Sequence, residues 1–186
     1  MNHFIFPIKA FFVFLLAAAT LPSCLVSSRS NVAVFNKSEY ASSVSVKTIK
    51  VPLLISKPII KVYLRKEENV PKEVIHLIGN LKKIRVTVAE TDNPKVVNDF
   101  RLEVQRRAGK AWLSVHQGDQ WIYLKADENA KDVIKRISIA ISSPEENQLV
   151  YVNMKCNLTP DQLSQLINSA MDSDEGKKIL KEEVLN

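Results

Sequence analysis

The sequence predicts an α+β fold, a mainly antiparallel sheet of about five strands with helices packed on one face. Three observations carry that expectation. Apolar residues alternate with polar ones in five separate stretches: "KKIRVTVAE", "AWLSVH", "QWIYLKA", "IKRISIAIS" and "QLVYVNMKCNL". Helix-period stripes mark other stretches, most plainly "NPKVVNDFRLEVQRRAG" and "LTPDQLSQLINSA". The order is segregated: helices, one strand, a helix, four strands, a helix. A regular βα alternation, which would signal a parallel sheet, is absent from that order.

The chain opens with Lys9, the apolar run "AFFVFLLAAA" at 10–19, and then Leu21-Pro22-Ser23-Cys24. An apolar run this short falls below the roughly 20 residues needed to span a bilayer, and it suits the core of an export signal. Leu at −3, small Ser23 before the scissile bond and Cys24 after it match a bacterial lipobox, with Pro22 at −2 a less usual choice. The expected processing places a diacylglycerol on the Cys24 thiol, cleavage after Ser23 and an acyl chain on the new amino group. One chain binds a membrane only marginally, whereas two or three anchor firmly. Leu25 after the cysteine, rather than Asp, favours the outer membrane facing the periplasm. The expected organisation is therefore a signal peptide over 1–23, a flexible Ser- and Asn-rich tether over 24–43, a single domain over 44–171 and a charged tail over 172–186 with room for a frayed helix.

Losing the first 23 of 186 residues leaves a single-domain length, and losing Lys9 takes the formal charge from +6 to +5. The remaining basic residues are scattered and mostly alternate with apolar ones, as on a solvated face. Weak attraction to anionic headgroups beside the anchor is the functional alternative. Nucleic acid is not an expected partner of an exported lipoprotein. With Cys24 acylated, Cys156 has no disulfide partner. It lies on the apolar side of "LVYVNMKCNL", where a thiol behaves as a small core hydrophobe.

The elements follow in order. "SVSVKTIKVP" reads as a short strand or an extended lead-in. In "LLISKPIIKVYLRKEE" the apolar pattern suits a helix, and Pro58 sits in its first turn if it begins near Ser56, or bends a longer one. "VPKEVIHLIGNL" suits a second short helix with Pro71 at its start and Gly79 near its end. "KKIRVTVAE" points Ile84, Val86 and Val88 inward. The next helix carries Val97, Phe100, Val104 and Ala108 on one stripe, and Gly109 stops it. Gly118-Asp119 fits a two-residue hairpin loop, which sets Gln117 opposite Gln120, His116 opposite Trp121 and Ser114 opposite Tyr123. "SPEENQ" turns the second strand pair. The last helix opens with Thr159 as cap, Pro160 in its first position and Gln162 reaching back, and it carries Leu163, Leu166, Ile167 and Ala170 inside.

The stretches "LKKIRVTVAE", "DFRLEVQRR", the hairpin, the closing strand pair with "TPDQLSQLI", and upstream "KVPLLISKPIIKVYLRK" together resemble the domain of unknown function 4252 family over roughly residues 44–170. The resemblance rests on element order and hydrophobic pattern. It implies a small exported bacterial protein with a lipoprotein signal, an envelope-response setting and no assigned activity, so it brings no catalytic residues with it. Trp121 is bulkier than the resemblance leads one to expect.

Candidate chemistry is sparse. His76 and His116 are the histidines beyond the signal, and the sequence has no HExxH, CxxC, GxSxG or glycine-rich phosphate loop. A converging set of polar groups, which an enzyme needs, is not legible, and no cofactor or metal is expected. The hairpin register instead gathers Trp112, His116, Trp121 and Tyr123 on one face, with Tyr151 on the same side of its own strand. With helices over the other face only, these aromatics form an exposed candidate surface for an envelope protein or lipid partner. The competing readings are cross-strand aromatic pairs that only stabilise the sheet, cover by the N-terminal segment, and a structural or signalling accessory acting through helices or tail.

Overall fold

The computed structural model describes residues 26–27, 29–53, 56–58, 61–62, 78–117, 120–143 and 147–171. The expected signal segment with Ser23 and Cys24, His76 and its expected helix, the expected turns at 118–119 and 144–146, and the tail lie outside the described residues.

Seven strands form one antiparallel sheet, two more than the pattern predicts. They are β1 (Val26–Ser27), β2 (Ser45–Val51), β3 (Lys83–Glu90), β4 (Lys110–Gln117), β5 (Gln120–Glu128), β6 (Ile134–Ser143) and β7 (Gln148–Leu158), in the spatial order β1-β2-β3-β7-β6-β5-β4. The additional strands are the lead-in "SVSVKTIKV", which is fully paired with β3, and the two-residue β1 beside it. The hairpin register is the expected one, with Gln117, His116 and Ser114 opposite Gln120, Trp121 and Tyr123.

Two α-helices are capped at their starts, the second by the expected Thr159-Pro160-Gln162 set. In α1 (Pro94–Arg106) the Asn93 side chain accepts from the Lys95 N–H at 3.0 Å, with Pro94 in the first turn. In α2 (Pro160–Met171) the capping box is reciprocal. Gln162 N–H donates to Thr159 Oγ1 at 3.3 Å, and Thr159 N–H donates to Gln162 Oε1 at 3.0 Å. A further helical stretch includes Leu53, Ser56 to Pro58, and Lys61 and Val62; the Ser56 N–H donates to the Pro52 carbonyl at 3.1 Å, so helical structure begins ahead of Ser56. The α1 stripe is Val96, Phe100 and Val104, with Val97 displaced to partial burial. Arg107 leaves the helix in an extended conformation, and Gly109 turns the chain at φ +110°, where a Cβ would stand 2.8 Å from the Ala126 carbonyl oxygen.

Strand alternation sorts the sheet into two faces. The first carries Thr48, Thr87, Ala89, Trp121, Ala140, Ser142, Leu149 and Tyr151, and its cluster includes Val96, Phe100 and Val104 of α1. The second carries Leu124, Ala126, Ile137, Cys156 and Leu158, and its cluster includes Leu163 of α2 with Leu166 and Ile167 against it. Ile84, Val86 and Val88, the expected inward set of β3, are only half-buried, while Thr87 and Ala89, on the alternate positions, are fully buried. The small side chains of Thr87, Ala89, Ala140 and Ser142 leave depth for the large rings of Phe100 and Trp121. The side of the sheet that looks polar in the sequence thus carries the larger buried cluster.

The expected flexible tether over 24–43 is a packed segment over its described part. Residues 29–43 include 3-10 turns at Ala33–Asn36 and Ser38–Tyr40, and Val32, Val34, Phe35 and Tyr40 are all buried. A Ser- and Asn-rich stretch reads as linker by composition. Four of its apolar residues, Val32, Val34, Phe35 and Tyr40, enter the same cluster as α1.

Candidate functional site

The five aromatic and histidine positions expected to form one open surface divide among different environments. Trp121 and Tyr151 are each only 1 % exposed. The Trp121 ring stacks on Tyr123 at 5.2 Å between centroids and meets Phe100 of α1 edge-on at 6.4 Å. Phe35 of the N-terminal segment stacks on the far side of Phe100 at 5.3 Å. This aromatic layer is interior, so the expectation of an exposed cluster is corrected: α1 and residues 32–40 share it. Tyr123 is half-buried against the layer, and His116 remains exposed with its ring 6.5 Å from Trp121. Trp112 goes elsewhere. A bulge between Ala111 and Leu113 inserts one residue into β4, and the Trp112 side chain packs with Leu113 on the cluster of the second face.

Around that layer lies a polar network invisible to pattern reading. Glu103 of α1 accepts the Ala33 and Val34 N–H groups at 2.9 and 2.7 Å and pairs with Arg107. Arg107 donates to the Tyr151 hydroxyl at 3.0 Å and to the Asn31 carbonyl at 2.7 Å. Tyr151 passes its own hydrogen to Ser138 Oγ at 3.0 Å, and Asn153 donates to the same oxygen at 3.0 Å. Burial pushes the Glu103 carboxyl up, but the hydrogen bonds from Arg107, Ala33 and Val34 outweigh it and hold the group below its ordinary value. Burial likewise works against charge on Arg107, and Glu103 with Tyr151 reverses the balance. Lys125, 7 % exposed, donates to the Gln105 carbonyl at 2.8 Å and to that of Arg107. A buried ammonium thus closes the negative end of α1. The signal for it in sequence was a lysine on the Trp121 side of β5.

A second set ties the same segment to α1 from outside. Asp99 accepts from Lys37 Nζ and from the Tyr40 hydroxyl, both at 2.8 Å. An open cleft of about 200 Å³ near the start of α1 is lined by Thr91, Pro94, Asn98, Arg101, Ser142 and Gln148. Two of its polar residues are engaged within the fold: Thr91 donates to the Ser43 carbonyl, and Arg101 donates to Ser142 while lying over the Trp121 ring. Among the described residues no group of three or more His, Cys, Asp or Glu is placed to hold a metal ion. Cys156 is buried with its Sγ 3.5 Å from the Ile134 carbonyl, and burial pushes its thiol up to about 11 despite Lys135 and Lys82.

What this arrangement does chemically is join three parts of the chain into one hydrogen-bonded unit, because Asn31, Ala33 and Val34, the end of α1, and the middle of the sheet share charged hydrogen bonds. No family model, no curated protein and no solved structure matches the chain.

Proposed function

We propose that this chain is a lipid-anchored, non-catalytic protein of the bacterial envelope, moored through acyl chains on Cys24 at the outer membrane facing the periplasm. Its domain engages a protein or lipid partner there. The observation that carries the reading is Leu21-Pro22-Ser23-Cys24 directly after the apolar run at 10–19. The resemblance to the domain of unknown function 4252 family points the same way and adds an envelope-response setting.

The packed segment after the cysteine gives the reading a physical form. Cys24 stands two residues before β1, and from 29 onward the chain is bound to α1 and the sheet. An anchor attached there holds the domain at the bilayer instead of letting it roam on a long leash. In this reading α1 shields the first sheet face and α2 part of the second, so the partner meets the edges and ends of the sheet. The non-catalytic assignment is supported by the engagement of Glu103, Arg107, Asp99 and Lys125 in internal hydrogen bonds. Feeding cells an alkyne analogue of palmitate tests the anchor. The chain should take up label and fractionate with membranes, and Cys24→Ser should lose both. An unlabelled mature chain in the soluble fraction would overturn the assignment.

A further inference from the structure

The basic residues that look scattered along the sequence converge at one end of the sheet. Lys50 of β2 pairs with Arg85 of β3, Lys83 with Lys155 of β7, and Lys155 with Arg136 of β6. Residues 83 and 85 are two apart, so all five side chains belong to one face of four adjacent strands. Lys50, Lys83, Lys155 and Arg136 are exposed, and Arg85 is half-buried. Among the described residues the one ion pair that any of them makes within 4.0 Å is Arg136 with Asp127, at 3.9 Å. Like charges placed directly opposite each other weaken a sheet. Lys83 beside Lys155, and Lys155 beside Arg136, are therefore placements that the fold itself does not explain.

The described chain begins near the same end. β1 pairs antiparallel with β2, Val26 opposite Ile49 and Ser27 opposite Thr48. Toward lower residue numbers β1 therefore points toward Lys50 and away from Ser45. Cys24 precedes Val26 by two residues, and two residues of chain reach at most about 7 Å. We infer that the end of the sheet bearing Lys50, Lys83, Arg85, Arg136 and Lys155 is a docking surface for the anionic phospholipid headgroups of the bilayer that holds the anchor. This rests on the lipid-anchor reading and deepens it, since it gives the moored domain an orientation. The acyl chains bring the patch within a Debye length of the headgroups, and each cation there contributes about fivefold to the docked population.

The test takes the full chain from the membrane fraction, with its acylation read from intact mass. The chain is reconstituted in vesicles of phosphatidylcholine alone or mixed with phosphatidylglycerol. A fluorophore at Asn157→Cys, beside the patch, and in a separate sample at Asn98→Cys on α1, reports quenching by lipids carrying a nitroxide at the headgroup. Quenching at 157 should rise on the anionic vesicles, fall at molar salt, and drop at least tenfold in Lys83→Glu/Lys155→Glu. The charge-matched Lys47→Glu/Lys95→Glu and the probe at 98 should show no such change. Unaltered thermal midpoints certify both variants as folded.

Quenching that ignores phosphatidylglycerol, or that falls equally in the two double variants, overturns the docking surface. An acylated chain with no dependence on anionic lipid sinks the patch and leaves the anchor standing. A chain without acyl mass that still floats with anionic vesicles in a patch-dependent way sinks the anchor and supports the patch.

Discussion

The Tyr40 hydroxyl donates to Asp99 Oδ2 at 2.8 Å, closing a contact across 59 residues of chain and fixing the N-terminal segment to α1. Asp99 also accepts from Lys37, and these two bonds, Lys37's first, hold its carboxyl below the ordinary range. Burial and then the bond to Asp99 push Tyr40 up to about 12.

The two shifts act at opposite ends of the pH scale. A depressed carboxyl contributes stability that is present above its unfolded value near 4 and fades as pH falls through the folded value. Asp99→Asn should therefore be less stable than the parent at neutral pH, with the gap narrowing below about pH 4. A raised phenol contributes stability that is complete below its unfolded value near 10 and is lost as pH rises through about 12. Tyr40→Phe should lose its disadvantage over that interval. Urea unfolding across pH reads both, and a pH-independent gap in either variant would contradict the assignment.

Glu103 is the central acceptor for the same segment, and its removal should loosen residues 29–43 without unfolding the sheet. Glu103→Gln leaves Arg107 without its carboxylate and removes an acceptor from Ala33 or Val34. The expected cost is about 1–3 kcal/mol. Amide exchange at Ala33 and Val34 should quicken far more than exchange at Tyr151 in β7. Uniform acceleration at all three would mean that the segment and the sheet open together.

Period-two alternation placed five strands and the hairpin register, and Asn93-Pro94 and Thr159-Pro160-Asp161-Gln162 mark their helix starts because capping is local chemistry. Which face of the sheet would be deepest was not legible. Thr87, Ala89, Ala140 and Ser142 count as weakly apolar or polar in a pattern, yet their small size is what admits Phe100 and Trp121. The packed segment at 29–43 was hidden by composition, since its contacts depend on Glu103 and Asp99, some 60 to 70 residues away. Trp112 escaped because a bulge leaves no trace in alternation. The basic end of the sheet is likewise a product of register: Lys50, Arg85 and Lys155 are distant in sequence and neighbours only across strands.

Trp121 gives the sharpest contrast between an exposed aromatic surface and an interior one. An exposed side chain would tolerate truncation within about 0.5 kcal/mol. Buried beneath Phe100 and stacked on Tyr123, Trp121→Ala should cost about 3–5 kcal/mol. Its fluorescence in the parent should resist acrylamide until unfolding, which a Trp112→Phe background isolates. Near-parental stability of Trp121→Ala would remove the aromatic layer from the core.

Cys156 tests the second face independently. Its thiol is 2 % exposed, lies 3.5 Å from the Ile134 carbonyl oxygen and is raised by burial to about 11. At pH 8 the thiolate that reacts with iodoacetamide is therefore a minor species, and the reagent has no path to it in the folded chain. Alkylation of Cys156, followed by peptide mass, should be negligible in buffer and complete in denaturing urea, with its onset tracking the unfolding transition. Leu163→Ala opens the same cluster at α2 and should raise the rate in buffer well before global unfolding. Rapid modification of the parent under native conditions would show that α2 does not close over β7, and that the second face stands open.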